Sequence, residues 1–305
     1  MQTRFDLPPL LLCCDAARLL RREINERNRD LGLSEPQWRV VGVVRSLPGV
    51  RQRDLGLILG LGKSPLAERV ERLVSGGWLL QRVDREDRRN RRLELTARGR
   101  AAAIQLRARY LALCEELVRH TGAAGWAELE RALVALAQAH AGEELNAALA
   151  PMATQGQLHL LAVLCRQLQP GLREVDLNHN QWLMLALLGP GGRRSQRDLG
   201  PALGLDKVSV ARNLASLDER GWLQRTVDGQ DRRLRQVALS PAGQRRWRQL
   251  EGHADQWLQQ WLEPLAVALH RPLIRGLQAI HGHLLNLAAV TATVDETKAD
   301  DDVPE

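Results

Sequence analysis

The sequence predicts a mainly α protein with small β-wings, built twice within one chain. Three observations carry this. The segment from Trp78 to Gly99, WLLQRVDREDRRNRRLELTARG, returns 144 residues later, from Trp222 to Gly243, as WLQRTVDGQDRRLRQVALSPAG. Each copy follows two short amphipathic stretches separated by a Gly-containing turn. Each is followed by long stretches with apolar residues at helical spacing.

The repeat extends beyond this segment. At the same offset of 144, residues 33–100 align with 177–244 without a gap, with 25 identities in 68 positions. The identities cluster: Gln37-Trp38 with Gln181-Trp182, the QRDLG strings at Gln52 and Gln196, and Gly77-Trp78-Leu79 with Gly221-Trp222-Leu223. A period this long is a duplicated domain rather than a solenoid repeat. The expected division is residues 1–150, residues 151–290 and a tail, 291–305.

The elements follow in order. Leu10 to about Arg29 is an amphipathic helix, with Leu12, Ala16, Leu19, Leu20 and Ile24 on one stripe. Pro36 opens a second helix that Pro48-Gly49 stops. Gln52–Leu59 and Lys63–Ser75 form two more, split by Gly60 and Gly62, and Pro65 fits the first turn of the latter, where a missing amide donor costs nothing. The Arg-loaded hairpin follows, then long helices over about 97–120 and 125–148. The second half repeats this pattern: helices around 157–168 and 180–188, then 196–203 and 207–220. A hairpin over 222–239 and helices over about 241–262 and 272–288 complete it. Short helix, turn, second helix and β-hairpin is the order of a winged helix-turn-helix. The join near Ala150-Pro151 is short, so the two domains are expected to pack as an intramolecular pseudo-dimer through the long terminal helices.

Charge narrows the partner. The net charge is +7, and the tail 291–305 holds six acids against Lys298, which leaves +12 on the body. Such a body favours polyanions, and the acidic tail reads as disordered. Cys13, Cys14, Cys114 and Cys165 show no metal spacing and do not match between the repeats, as expected of a reduced, cytoplasmic protein without a cofactor. No apolar run reaches membrane-spanning length. Gly56–Ser64 has five residues where a phosphate-binding loop needs four. His281 and His283 point apart at i, i+2 and read as surface residues. No nucleophile–base or carboxylate pair is spaced for catalysis, so no enzyme activity is expected.

Both halves resemble the MarR (multiple antibiotic resistance regulator) family. The resemblance rests on LILGLGKSPLAERVERLVSGGWLLQRVDREDRRNRRLELTARG and PALGLDKVSVARNLASLDERGWLQRTVDGQDRRLRQVALSPAG. Its specific element is the wing: Asp, two residues, Asp-Arg-Arg, then a strand ending in Leu-Thr/Ser-x-x-Gly. It implies a sequence-specific regulator, by default a repressor. Two recognition helices would enter successive major grooves of double-stranded DNA and two wings the flanking minor grooves, with release by a small-molecule effector of unknown identity. The family carries one such domain per chain. Here two are fused, and one chain would read an asymmetric, pseudo-palindromic operator.

The residues expected at DNA fall into three groups. Lys63, Ser64 and Arg69, with Lys207, Ser209, Arg212 and Asn213, occupy the start of each recognition helix and suit base edges and phosphates. Gln52 and Gln196 open the preceding helix and suit backbone phosphate. The wings supply Arg85, Arg88, Arg89, Arg91 and Arg92, and Arg232, Arg233 and Arg235, of which one or two per wing suit a narrow minor groove. Asp87 and Asp231 are expected to fix the loop. The Trp pairs 38/182 and 78/222 read as core. Two alternatives stand beside this reading: a thiol-based redox sensor using Cys13-Cys14, and a tandem winged-helix adaptor for protein partners.

Overall fold

The computed structural model describes residues 7–84, 90–150, 160–161, 163–165, 174–189, 191–227 and 235–301, with side chains left aside at 226, 227, 235 and 290–301. It divides into two compact units, and neither is a continuous half of the chain. One comprises residues 20–167 with 264–276, the other residues 1–19 with 168–263 and 277–305. The duplication of the sequence thus sits inside units that have exchanged terminal segments.

The first unit contains α2 (Glu35–Ser46), β1 (Val50–Arg51), α3 (Gln52–Leu59), α4 (Lys63–Ser75), β2 (Leu79–Val83) and β3 (Arg91–Leu95). They are followed by α5 (Ala97–Thr121), α6 (Ala123–His140) and α7 (Glu143–Leu149), and preceded by the end of α1 (Pro9–Arg27). Its sheet is antiparallel in the order β1-β3-β2, with Val50 opposite Leu93 and Leu79 opposite Leu95. The helix expected over 125–148 is two helices. Gly142 is extended between them, and the Asn146 amide donates to the carbonyls of Gln138 and Ala141 at 2.8 Å each. At Gly276 a Cβ would stand 3.0 Å from the Leu129 side chain, so this segment lies close against α6.

The second unit repeats the plan with α8 (His179–Leu188), β4 (Arg193–Ser195), α9 (Gln196–Leu203), α10 (Lys207–Glu219), β5 (Leu223–Val227), β6 (Arg235–Leu239) and α11 (Pro241–Leu262). Its sheet order, β4-β6-β5, matches the first. The last helix, α12 (Val267–Asp301), begins earlier than expected, accommodates Pro272, and continues into the acidic segment that composition marks as disordered. Nothing in 291–301 breaks it: the first Pro is Pro304 and Gly is absent, so propagation adds one hydrogen bond per residue. The third strand of each sheet is absent from the sequence reading, because two or three residues are too few to show alternation.

The repeated identities have local causes. Gln37 and Gln181 each occupy the third position of a helix and accept from the N-cap backbone, Ser34 at 2.9 Å and Asn178 at 3.0 Å, closing a capping box. The Thr/Ser-x-x-Gly of the wing strand is another cap: Thr96 accepts from Gly99 and Ser240 from Gly243, each at 3.0 Å. Both hydroxyls also donate to the backbone before the wing, at Gly77 and Gly221.

One polar cluster in the second unit was not anticipated. Asp15, 1 % exposed, accepts from Arg18 at 2.6 Å and is bonded to Nε2 of His281 at 2.8 Å and Nε2 of His179 at 3.2 Å. Arg18 also donates to the carbonyls of Leu203 and Gly204, at the end of α9. This corrects the surface assignment of His281, which is buried. Burial by itself raises the Asp15 carboxyl, but the Arg18 charge and the bonds from both imidazoles outweigh it and hold the group below the carboxylate range.

Candidate nucleic-acid interface

In each unit the helix-turn-helix is fixed by a left-handed residue. Gly60 (φ 64°) caps α3 and Gly204 (φ 57°) caps α9, a conformation that costs glycine least. Beyond the turn α4 buries Leu66, Val70 and Leu73, and α10 buries Val210, Leu214 and Leu217. The opposite faces are therefore outward. Lys63, Ser64, Ala67, Glu68, Glu71 and Arg72 are exposed on α4. Lys207, Val208, Ala211, Arg212 and Ala215 are exposed on α10.

The helices start differently. Gly62 caps α4, whereas Asp206 caps α10, accepting from the Ser209 amide and hydroxyl at 2.7 Å each. These bonds from Ser209 hold the Asp206 carboxyl below its ordinary range. Since the folded value is depressed, the contribution is present above the unfolded pKa of about 3.9 and is lost as pH falls through the folded value. Asp206→Ala is expected to cost about 1 kcal/mol at neutral pH and Asp206→Gly only a few tenths. Urea midpoints at pH 7 would check this, and equal costs for both would refute it.

The expected site residues divide accordingly. Lys63, Ser64, Lys207, Arg212, Gln196 and Arg91 are exposed, and Arg69 is half-buried. Gln52 is half-buried and accepts from Gln81 at 3.0 Å, which ties the first turn of α3 to the wing. Ser209 donates its hydroxyl to the Asp206 cap. Two of the expected residues have partners within the fold. Asn213 is 7 % exposed, donates to the Ser209 carbonyl at 2.7 Å and accepts from Asn178 at 3.0 Å, so it faces the interior of the helix-turn-helix. Arg92 is held at the base of the wing by Asp84 at 3.0 Å and bonded to the Gly49 carbonyl at 3.3 Å. Arg85, Arg88, Arg89, Arg232 and Arg233 lie outside the described residues, as do Asp87, Asp231 and the side chain of Arg235.

Asp84 was the residue missed. It is 1 % exposed and pairs with both Arg51 (2.9 Å) and Arg92 (3.0 Å), clamping β1 and β3 at the root of the first wing. Its repetition as Asp228 was the available signal. In the second copy the positions of Arg51 and Arg92 hold Ser195 and Gln236, so these two arginines have no counterpart there.

The tryptophans have separate duties. Trp182 is core and meets Trp257 edge to face at 5.9 Å. Trp38 is half-buried. Trp78 lies under Arg98 (3.8 Å), and Trp222 under Arg220 and Arg246 (5.1 and 5.5 Å), as cation–π pairs. Cys13 and Cys14 are buried, and burial pushes the Cys114 thiol up to about 11, which disfavours the reactive thiolate. Among the described residues no helix is long and apolar enough to cross a membrane, and no group of three His, Cys, Asp or Glu could hold a metal.

Two family models match parts of the chain. Residues 175–234 match the MarR family model, and residues 33–99 match that of a winged helix DNA-binding domain. The uncharacterized HTH-type transcriptional regulator YwoH of Bacillus subtilis is 27% identical over 103 residues, 34% of this chain and 74% of the relative. A probable transcriptional regulator from Pseudomonas aeruginosa is 30% identical, covering 39% of this chain and 93% of that one, with a TM-score of 0.34. The transcriptional regulator SlyA is 17% identical over 44% of this chain and 97% of its own, with a TM-score of 0.40. The sequence matches support a DNA-binding regulator with a MarR-type winged helix.

Proposed function

We propose that this chain is a non-enzymatic MarR-type transcriptional regulator that binds double-stranded DNA as a covalent pseudo-dimer and represses by occupying its operator. The observation that carries this reading is the repeated outward face of α4 and α10. Each follows a helix-turn-helix turn and presents a lysine in its first turn, beside an Arg-rich wing of the same design. Lys63, Ser64 and Arg69 in one unit, and Lys207 and Arg212 in the other, are the proposed readers. Gln196 and Gln52 take phosphate, while Arg91 with Arg85, Arg88, Arg89, Arg232, Arg233 and Arg235 serves the wings. Ser209 acts through the cap it completes.

Two half-sites of one duplex require readers about one helical turn apart, roughly 34–36 Å. The unequal faces make the operator asymmetric: Glu68 stands where Arg212 stands in the other copy, and Ser64 where Val208 stands. Selection from random duplexes with the purified full chain tests this. The expected result is a two-part site bound by one chain, with affinity falling steeply as salt rises because phosphate contacts release counterions. Duplexes carrying two copies of either half-site should bind less tightly than the natural pairing. A perfectly palindromic optimum would count against asymmetry, and salt-independent binding to a protein alone would restore the adaptor reading.

A further inference from the structure

Val208 is 65 % exposed, a branched apolar side chain in the first turn of α10, on the outward face it shares with Lys207, Ala211 and Arg212. Nothing in the fold calls for it there. The first turn of a helix is favoured by acidic or capping side chains, and β-branched residues have weak helix propensity. Its neighbours fix it in place: Asp206 caps the helix through both the amide and the hydroxyl of Ser209, so the turn carrying Val208 is closed on either side. A valine in a helix has one strongly preferred rotamer, so its two methyl groups are held in one orientation. Ala211 and Ala215, exposed on the same face, leave the space beside it open.

In the major groove only thymine presents a methyl group, and apolar side chains read it by contact. Building on the DNA-binding reading above, we propose that Val208 is a thymine-methyl reader, and that the half-site under α10 carries a thymine at one fixed position. The half-site under α4 has no such requirement, because Ser64, exposed at the equivalent position, is a donor and acceptor that tolerates either pattern. Arg212 follows Val208 by four residues, about 6 Å along the helix, and projects from the same face. A guanine read by Arg212 would then lie within about two steps of that thymine. The exposed acids Glu68 and Glu71 on α4 have Arg212 and Ala215 as counterparts on α10, so the two helices differ in sign as well as in apolar character.

The test uses the full chain and its selected operator, with each thymine replaced in turn by uracil, which lacks only the methyl group. The expected result is about a fourfold loss of affinity at one thymine of one half-site, the worth of a single buried methyl. Thymines of the other half-site should show no such loss. Val208→Ala should abolish the distinction between thymine and uracil, and Val208→Thr, which keeps one methyl, should restore part of it. Unchanged thermal melting of both variants shows that the fold is intact, as the exposure of Val208 predicts. Tight operator binding with indifference to uracil at every position overturns the thymine assignment alone. Full retention of the uracil penalty in Val208→Ala also overturns it. Failure to select or bind any duplex overturns the DNA-binding reading itself.

Discussion

Gly99→Ala and Gly243→Ala are each expected to lose about 3 kcal/mol or more of stability, a large effect for one added methyl. A Cβ at Gly99 would stand 2.1 Å from the carbonyl oxygen of Trp78, and one at Gly243 2.1 Å from that of Trp222. The obstructing atom is backbone in both cases, so no rotamer change relieves the clash. That carbonyl also accepts the amide of Thr96 (3.1 Å) or Ser240 (3.0 Å), the bond that anchors the wing strand to the following helix. Relief by moving the helix would therefore break the joint between wing and helix. Gly125, half-buried, and Gly252, exposed, provide controls, being helical and free of any atom beyond their own helix turn within 4 Å of a new Cβ. Alanine there is expected to stabilise by up to about 1 kcal/mol. Urea unfolding of the four variants checks the pair of signs, and equal midpoints for all four would sink the argument.

Asp15→Asn is expected to destabilise the second unit by about 3–5 kcal/mol at neutral pH, the range for breaking a buried ion pair. The change leaves Arg18, 17 % exposed at its side chain, and two imidazoles arranged around a neutral amide. Because the folded carboxyl is held below its usual range, its contribution is present above the unfolded value of about 3.9 and lost as pH falls below that. The stability gap between wild type and Asp15→Asn should therefore narrow from pH 7 to pH 3. A gap of constant size across that window would show that the charge on Asp15 is not what the cluster depends on. Replacing His281 by leucine in both backgrounds would measure the coupling directly.

Local order was legible in the sequence and long-range pairing was not. The bounds of α3, α4, α9 and α11 coincide with those read from apolar spacing, Gly turns and Pro65 or Pro241. Such signals act within a few residues of each other. Asp15 shows no sign of its role in the sequence, because its partners His179 and His281 lie 164 and 266 residues away. Asn213 and Arg92 show the same limit at the candidate interface. Each sits at a position where a polar residue suits DNA, and each has a partner within the protein, Asn213 with Asn178 and Arg92 with Asp84. Residue type and spacing locate the recognition helix, but they do not tell which of its polar groups already have partners.

The exchange of terminal segments has a consequence during synthesis. Residues 10–19 are made well before residues 168–263 and 277–289, with which they share a unit. Leu10, Leu11, Leu12, Cys13 and Cys14, all buried in the folded protein, must therefore wait until those later residues have emerged. During that interval a run of apolar side chains is open to solvent and to neighbouring chains, the state in which nascent proteins aggregate or recruit chaperones.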